Sequence, residues 1–367
     1  MPVADVPAAS AGTSRSTSAT IQPNILRYLT SVAFERGVDL RPHLEQVGLD
    51  ETLMRSAALR VSYRQGSAVI RRALELTGDA HLGMKVGAAQ HLTAWGLLGF
   101  ALMAAEDLRQ AAETGVTYQN LSGAMVVWSA GEEDGGFAIR ADLPDPAMDP
   151  GVAVFLIEEA LTSAVTLARL TVGPEFAPRI AEFAFPAPAP APAPAPAHSD
   201  PYGAFFGCPV RFGVPVSRVV IDPGWARAPM PGRDPVTFAS ALETLDEQMT
   251  SRRHHQELLE VMEISIAQSL PVVPSFAEQA RRHTASERTL RRRLADCGTT
   301  YEALVDGVRR ERVEQLLRRP ELTLRDIAHQ AGFSDERTLR RAVRRWHGTS
   351  SRRFREEVLG AEGPARG

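Results

Sequence analysis

The residues in this 367-residue chain best equipped for a defined chemistry are arginines that recur in two copies of one pattern. Ser275–Leu294 reads SFAEQARRHTASERTLRRRL and Leu322–Arg341 reads LTLRDIAHQAGFSDERTLRR. The shared Glu-Arg-Thr-Leu-Arg-Arg begins at Glu287 and again 49 residues later at Glu336. A guanidinium is a planar fork of donors that matches the O6/N7 edge of guanine and the oxygens of a phosphate. In helical register Leu290 and Leu294 form the buried side of the first copy, and Arg288, Arg291 and Arg292 lie off it. In the second copy Leu339, Val343 and Trp346 point inward. That leaves Arg337, Thr338 and Arg341 for a groove, with Arg340, Arg344 and Arg345 nearer phosphates.

Such side chains need helices to present them. Each copy places a short amphipathic helix before a tight turn, and a second helix then opens on Ser286 or on Ser334-Asp335. That is the layout of a helix-turn-helix, whose second helix enters a DNA major groove. Ser275 and Glu278 have the spacing of a capping box. Ile327, Ala328 and Ala331 form the inner face in the second copy, Gly332 stands where the turn needs a positive φ, and Phe333 plugs beneath it. The first copy departs from this: Thr284 takes the glycine's place, and Gln279 and His283 stand where apolar residues are expected. A threonine at positive φ is costly, so a different turn geometry is predicted there. Between the copies Thr300–Arg318 reads as one long helix with Leu304, Val308, Leu316 and Leu317 inward, a rod that would fix the distance between two readers.

Charge follows the same division. Residues 275–360 hold 20 arginines and 13 acidic residues, a net of +7, whereas the rest holds 21 basic and 31 acidic residues, a net of −10. A basic module on an acidic body fits a nucleic-acid partner for the module alone. The two cysteines, Cys208 and Cys297, are far apart and offer neither a metal-ligand spacing nor a disulfide framework. The N-terminus lacks the apolar stretch of a secretory signal. The apolar run Gly96–Ala105 is too short to span a bilayer, and Val152–Val172 is interrupted by Glu158, Glu159 and Arg169, as in an amphipathic core helix. A cytoplasmic protein without membrane contact is expected.

Residues 1–20 are predicted to be disordered, as is the tail 361–367. Residues 21–230 read as an α+β domain. Helical patterns cover Ile21 to about Arg60, Val61–Leu76, Leu97–Met103 and Asp107–Tyr118. Met125–Ser129 and Gly136–Ala141 read as a hairpin around an acidic turn, Gly131–Gly135. Val152–Leu170 returns to helix, and Ile180–Phe185, Val210–Phe212 and Arg218–Ile221 read as strands. Residues 186–197 are six Pro-Ala pairs, read as an extended spacer loop inside the domain, with an interdomain linker as the alternative. A linker helix over 231–254 leads into an all-α domain, 255–360.

Residues 255–356 resemble the DNA-binding domain of the AraC/XylS family of bacterial transcription regulators. The resembling runs are SERTLRRRL, VRRERVEQLL, DIAHQAGFSD and RRAVRRWHGTSSRRFR. In the last, Ser351 replaces the family's usual proline and Phe354 its usual tyrosine, while Arg355 is retained. The resemblance implies base-reading roles for Arg288, Arg291 and Arg292 and for Arg337, Thr338 and Arg341. GDAHLGMKVG, TAWGLLGFALMAAEDLRQA and FFGCPVRFGVPVSRVVID in residues 21–230 resemble the arabinose-binding-type N-terminal domain of the ornithine-utilisation-regulator-like branch. That implies effector binding and dimerisation. The function implied is a homodimeric, sequence-specific regulator, more often an activator, with double-stranded promoter DNA, RNA polymerase and a small-molecule effector as partners and no cofactor.

No HExxH, GxSxG, P-loop or GxGxxG pattern occurs. Trp95, Tyr118 and Trp128 are candidates to line an effector pocket. Of the adjacent Glu158 and Glu159, one is expected to face solvent. The other, Glu158 as the candidate, would pair with Arg140 or a cationic effector. Two alternatives remain: a dimeric DNA-binding protein with no effector, or an enzyme carrying a DNA reader, which would need a reactive cysteine.

Overall fold

The computed structural model describes residues 21–56, 59–187 and 200–361, and the chain divides into two units between Met249 and Thr250. Each unit is held by its own apolar clusters.

The first unit is α+β. Its sheet comprises β1 (Val127–Glu133), β2 (Gly136–Asp142), β3 (Ile180–Phe183), β4 (Val210–Phe212) and β5 (Arg218–Ile221), in the order β1-β2-β5-β3-β4. All neighbours are antiparallel except β3 and β4, which run parallel. The expected hairpin exists with a different turn. β1 runs on through Gly131, and only Asp134 and Gly135 turn, both at positive φ (49° and 70°). Two left-handed residues make the turn whose twist suits a two-residue hairpin, and Asp-Gly is a preferred pair for it. Strands on both sides of the Pro-Ala segment belong to one sheet, so the segment interrupts a domain. Its residues 188–197, like residues 1–20 and 362–367, lie outside the described residues.

The helix Pro150–Val172 organises this unit. Asp149 caps it by accepting from the backbone N–H groups of Gly151 and Val152. It is long and apolar enough to cross a membrane, but most of it is packed inside the domain, as a core helix is. The expectation of an amphipathic helix with one glutamate in solvent is corrected: Glu158 and Glu159 are 1% and 4% exposed. The helix Leu82–Ala88 lies so close that a Cβ on Gly83 would meet the Phe155 carbonyl oxygen at 2.4 Å, and one on Gly87 the Glu159 carbonyl oxygen at 2.5 Å. Two glycines one turn apart permit that approach. At its other end Arg169 donates to the carbonyls of Phe176 and Phe205 at 3.0 and 2.8 Å, so the third charge is also absorbed internally.

The linker expected over 231–254 falls on a single 35-residue helix, Pro235–Ser269. Ala241 and Leu245 near its start join a cluster of the first unit, and Met262 and Ile266 near its end join a cluster of the second.

The second unit is helical: Phe276–Arg282, Glu287–Asp296, Tyr301–Leu317, Leu324–Gln330, Glu336–His347 and Ser351–Ala361 follow the end of that long helix. Tyr301–Leu317 serves two cores. Its Leu304, Val305 and Val308 pack with Leu290 and Leu294, while its Val313, Leu316 and Leu317 pack with Ile327, Leu339 and Val343.

The two turns share a geometry despite their different residues. Ala285 N–H donates to the Ala280 carbonyl and Phe333 N–H to the Ala328 carbonyl, both at 2.9 Å. Thr284 sits at φ 50°, where Gly332 sits at φ 75°. The predicted departure in the first turn is therefore corrected: the threonine accepts the strained conformation. Buried Gln279 donates from Nε2 to Ser265 Oγ at 3.1 Å, which ties the polar replacement into the core. Glu278 does not complete a capping box. Ser275 caps the helix alone, and Glu278 pairs with Arg282 at 3.0 Å. Replacing Thr284 by glycine should stabilise the second unit by about 0.5–1 kcal/mol, because a side chain in the left-handed region costs about 1–2 kcal/mol, less glycine's extra chain entropy. Gly332→Ala should destabilise it by about 1–3 kcal/mol, since its Cβ would also stand 2.6 Å from the Pro271 carbonyl oxygen. Urea unfolding of both variants checks the opposite signs.

Candidate nucleic-acid interface and ligand cavity

Both arginine-bearing helices start on side-chain caps. Ser286 accepts from the Thr289 N–H at 3.1 Å and Asp335 from the Thr338 N–H at 2.7 Å. Leu290 and Leu294 are buried in one, and Leu339, Ala342 and Val343 in the other, so the opposite faces are left outward. Arg288, Arg291, Arg292, Arg337, Arg340, Arg341, Arg344 and Arg345 are all exposed.

Their partners sort them. Arg337, Arg341 and Arg344 recur at helical spacing on one face, and no ion pair engages them among the described residues. Arg340 is paired with Glu336 one turn back, and Arg345 with Asp306 on the Tyr301–Leu317 helix. Exposed pairs of this kind are worth about 0–1 kcal/mol, so exchanging them for a phosphate is cheap. The Thr338 hydroxyl already donates to Asp335 Oδ1 at 3.0 Å, which leaves its oxygen as an acceptor and its methyl group for a groove. In the first helix Arg291 lies 5.1 Å over the Phe276 ring and 4.0 Å from Glu287, whereas Arg288 and Arg292 have no ion pair among the described residues.

Asp306 is a residue that sequence reasoning missed. Besides Arg345 it accepts from Trp346 Nε1 at 2.8 Å, and so pins the second arginine helix to the long helix. Arg309, on the same helix, donates to the Gly332 carbonyl and lies 5.1 Å over the Phe333 ring, bracing the turn. Neither residue belongs to the repeat that marked the arginines.

The first unit contains a cavity of about 810 Å³, counted to its open mouth. Its wall is almost wholly apolar, with Leu102, Ala112, Ile139, Val165 and Phe176 among the lining residues. A smaller, more polar recess of about 290 Å³ adjoins it, and Trp95, Ser122 and Trp128 line both. Trp95 and Trp128, two of the four candidate effector residues, line this space, whereas Tyr118 and Glu158 are not among the lining residues. Tyr118 donates its hydroxyl to Asp246 Oδ1 at 2.6 Å. Glu158 accepts from the Tyr202 hydroxyl and stands 3.6 Å from His81 Nδ1, while Arg140 pairs with Glu133 at 2.6 Å. The acid that does line the recess is Glu159. Nothing in the sequence separated the neighbours, because on a helix buried all round periodicity marks no solvent face.

Burial pushes the thiols of Cys208 and Cys297 up to about 11, opposite to what a nucleophilic cysteine requires.

Two family models match the chain. One, described as the arabinose-binding domain of AraC transcription regulators, N-terminal, matches residues 37–230; the other, a helix-turn-helix domain, matches residues 279–357. The chain is similar to the ornithine utilization regulator of Pseudomonas aeruginosa, 26% identical over 329 residues, covering 89% of this chain and 94% of that protein. It is also similar to the transcriptional regulator VqsM of the same species, 24% identical over 291 residues, covering 74% and 83%. The crystal structure of the transcriptional regulator CdpR from Pseudomonas aeruginosa aligns over 91% of this chain and 98% of its own, with a TM-score of 0.43 and 22% identity.

Proposed function

The chain belongs to the AraC family of transcription regulators, and from that premise we propose that it reads promoter DNA through two helix-turn-helix elements and answers to a small molecule held in its N-terminal cavity. The observation that carries the DNA reading is the sharing of the Tyr301–Leu317 helix by two cores, each closed by a helix with outward arginines. Arg337, Thr338 and Arg341 read bases in the second element and Arg288, Arg291 and Arg292 in the first, while Arg340, Arg344 and Arg345 engage phosphates. One rod carrying both elements lets them dock on successive major-groove segments of one duplex face.

The cavity supports the ligand-responsive reading over an effector-independent one, since it is a concave, mostly apolar hollow with a few polar groups at one end, the make-up typical of small-molecule sites. A ligand there acts by binding one arrangement of the regulator better than another. Family resemblance supports a cytoplasmic homodimer that activates transcription in contact with RNA polymerase. The raised thiols support a regulator over an enzyme with an appended reader.

Footprinting of the full-length protein on the DNA flanking its own gene tests the reading. Two protected segments about one helical turn apart on one face are expected. A protein that protects no site in preference to random duplex at about 0.15 M salt, where non-specific phosphate binding is weakened, does not have this function.

A further inference from the structure

The chemical class of the effector is written in the charge of the walls. Among the described residues lining the two chambers, Glu159 is the only ionisable one, and no lysine, arginine or histidine is present. An anionic group entering the recess would lose its water and meet no cation, a cost that a buried charge escapes only by pairing. A cation would meet a carboxylate and two half-buried indoles, Trp95 and Trp128, whose faces attract positive charge.

Resting on the reading above that this cavity is the effector site, we propose that the effector is an amphipathic primary amine: its apolar body fills the larger chamber, and its ammonium group enters the recess and pairs with Glu159 beside Trp95 and Trp128.

The recess is prepared for that head group. Trp95 Nε1 donates to Gln90 Oε1 at 3.1 Å, and Gln90 Nε2 donates to Glu159 Oε1. The chain of donors ends on the carboxyl group and orients it. Asn24 is spent elsewhere, donating to the carbonyls of Ala94 and Ser122, both at 3.0 Å, so the recess keeps its shape without a ligand. Burial raises Glu159 to about 8, so it holds a proton at neutral pH while the recess is empty. An incoming ammonium then forms an ion pair with the carboxylate, and the displaced proton leaves to solvent.

The test uses the full-length protein and three probes of one skeleton: 2-phenylethylamine, 3-phenylpropanoate and 2-phenylethanol. Only the amine should raise the melting temperature of the first unit, because a ligand bound to the native state stabilises it. Calorimetry at pH 7 in buffers of different ionisation enthalpy should show proton release on amine binding. In Glu159→Gln, which keeps shape and hydrogen bonding, the release should vanish and affinity should fall at least about tenfold with the lost charge-assisted contact. If the acid or the alcohol stabilises as well as the amine, or if Glu159→Gln binds the amine unchanged, the amine assignment is wrong and the chamber survives as a ligand site. Absence of any shift with all three probes also overturns the assignment. The fate of the regulator reading is then decided by the footprint, which needs no ligand.

Discussion

Arg337→Ala and Arg341→Ala should each cut the preference for the operator over unrelated duplex by about 5–150-fold, the equivalent of about 1–3 kcal/mol for one forked arginine–guanine contact. Arg344→Ala should weaken binding to operator and random DNA alike and reduce the slope of log K against log salt by about one phosphate. The contrast follows from position. Arg337 and Arg341 lie on the first two turns after the Asp335 cap, the part of such a helix that reaches base edges, and Arg344 lies a turn further along. None of the three is held by an ion pair among the described residues, so their replacement should leave the fold alone. Arg345→Ala is the instructive control. It frees Asp306, which also fixes Trp346, so its effect should include a small loss of thermal stability that Arg344→Ala lacks. Titrations of operator and random duplexes at several salt concentrations separate the classes. Equal losses from Arg337, Arg341 and Arg344 on both duplexes would mean that base and phosphate contacts are wrongly divided.

The second unit was legible because its signals are local. Caps, a turn glycine and leucines at helical spacing sit within twenty residues of the arginines they position, and the repeat printed the signal twice. The exception is instructive. Thr284 disfavours a left-handed turn, yet the backbone adopts it, because Ala280, Leu290 and Leu294 fix the two flanking helices in the same core. Tertiary packing outweighs a local preference of about 1–2 kcal/mol. In the first unit the strands were visible, but the hairpin turn was misplaced by the glycine at 131. The stronger signal was the Asp134-Gly135 pair, whose conformation suits the strand twist. Asp306 and Glu159 left no trace in sequence. Their roles depend on which neighbour a side chain meets across the fold, and no spacing within one helix reports that.

Glu159→Gln should change the pH dependence of the empty first unit strongly between about pH 5 and 9. The folded carboxyl titrates at about 8 against an ordinary value of 4.5, and the cause is burial. The folded state therefore binds a proton that the unfolded state has lost, and stability falls as pH rises from about 4.5 through 8. The full difference is on the order of 5 kcal/mol, at about 1.4 kcal/mol for each pH unit of displacement. Glutamine has no proton to lose and its Oε1 can still accept from Gln90, so the variant should match the native protein near pH 4.5 and exceed it near pH 9. Glu263 in the second unit is also raised, to about 7, by burial and by Glu311 and Glu260. Its slope is common to both proteins and cancels in the difference. Unfolding followed by tryptophan fluorescence in a Trp346→Phe background, where every remaining tryptophan lies in the first unit, isolates the relevant transition. Stability curves that stay parallel from pH 5 to 9 would mean that Glu159 is solvated or paired in the folded protein, and the recess would lose the acid on which its ligand chemistry depends.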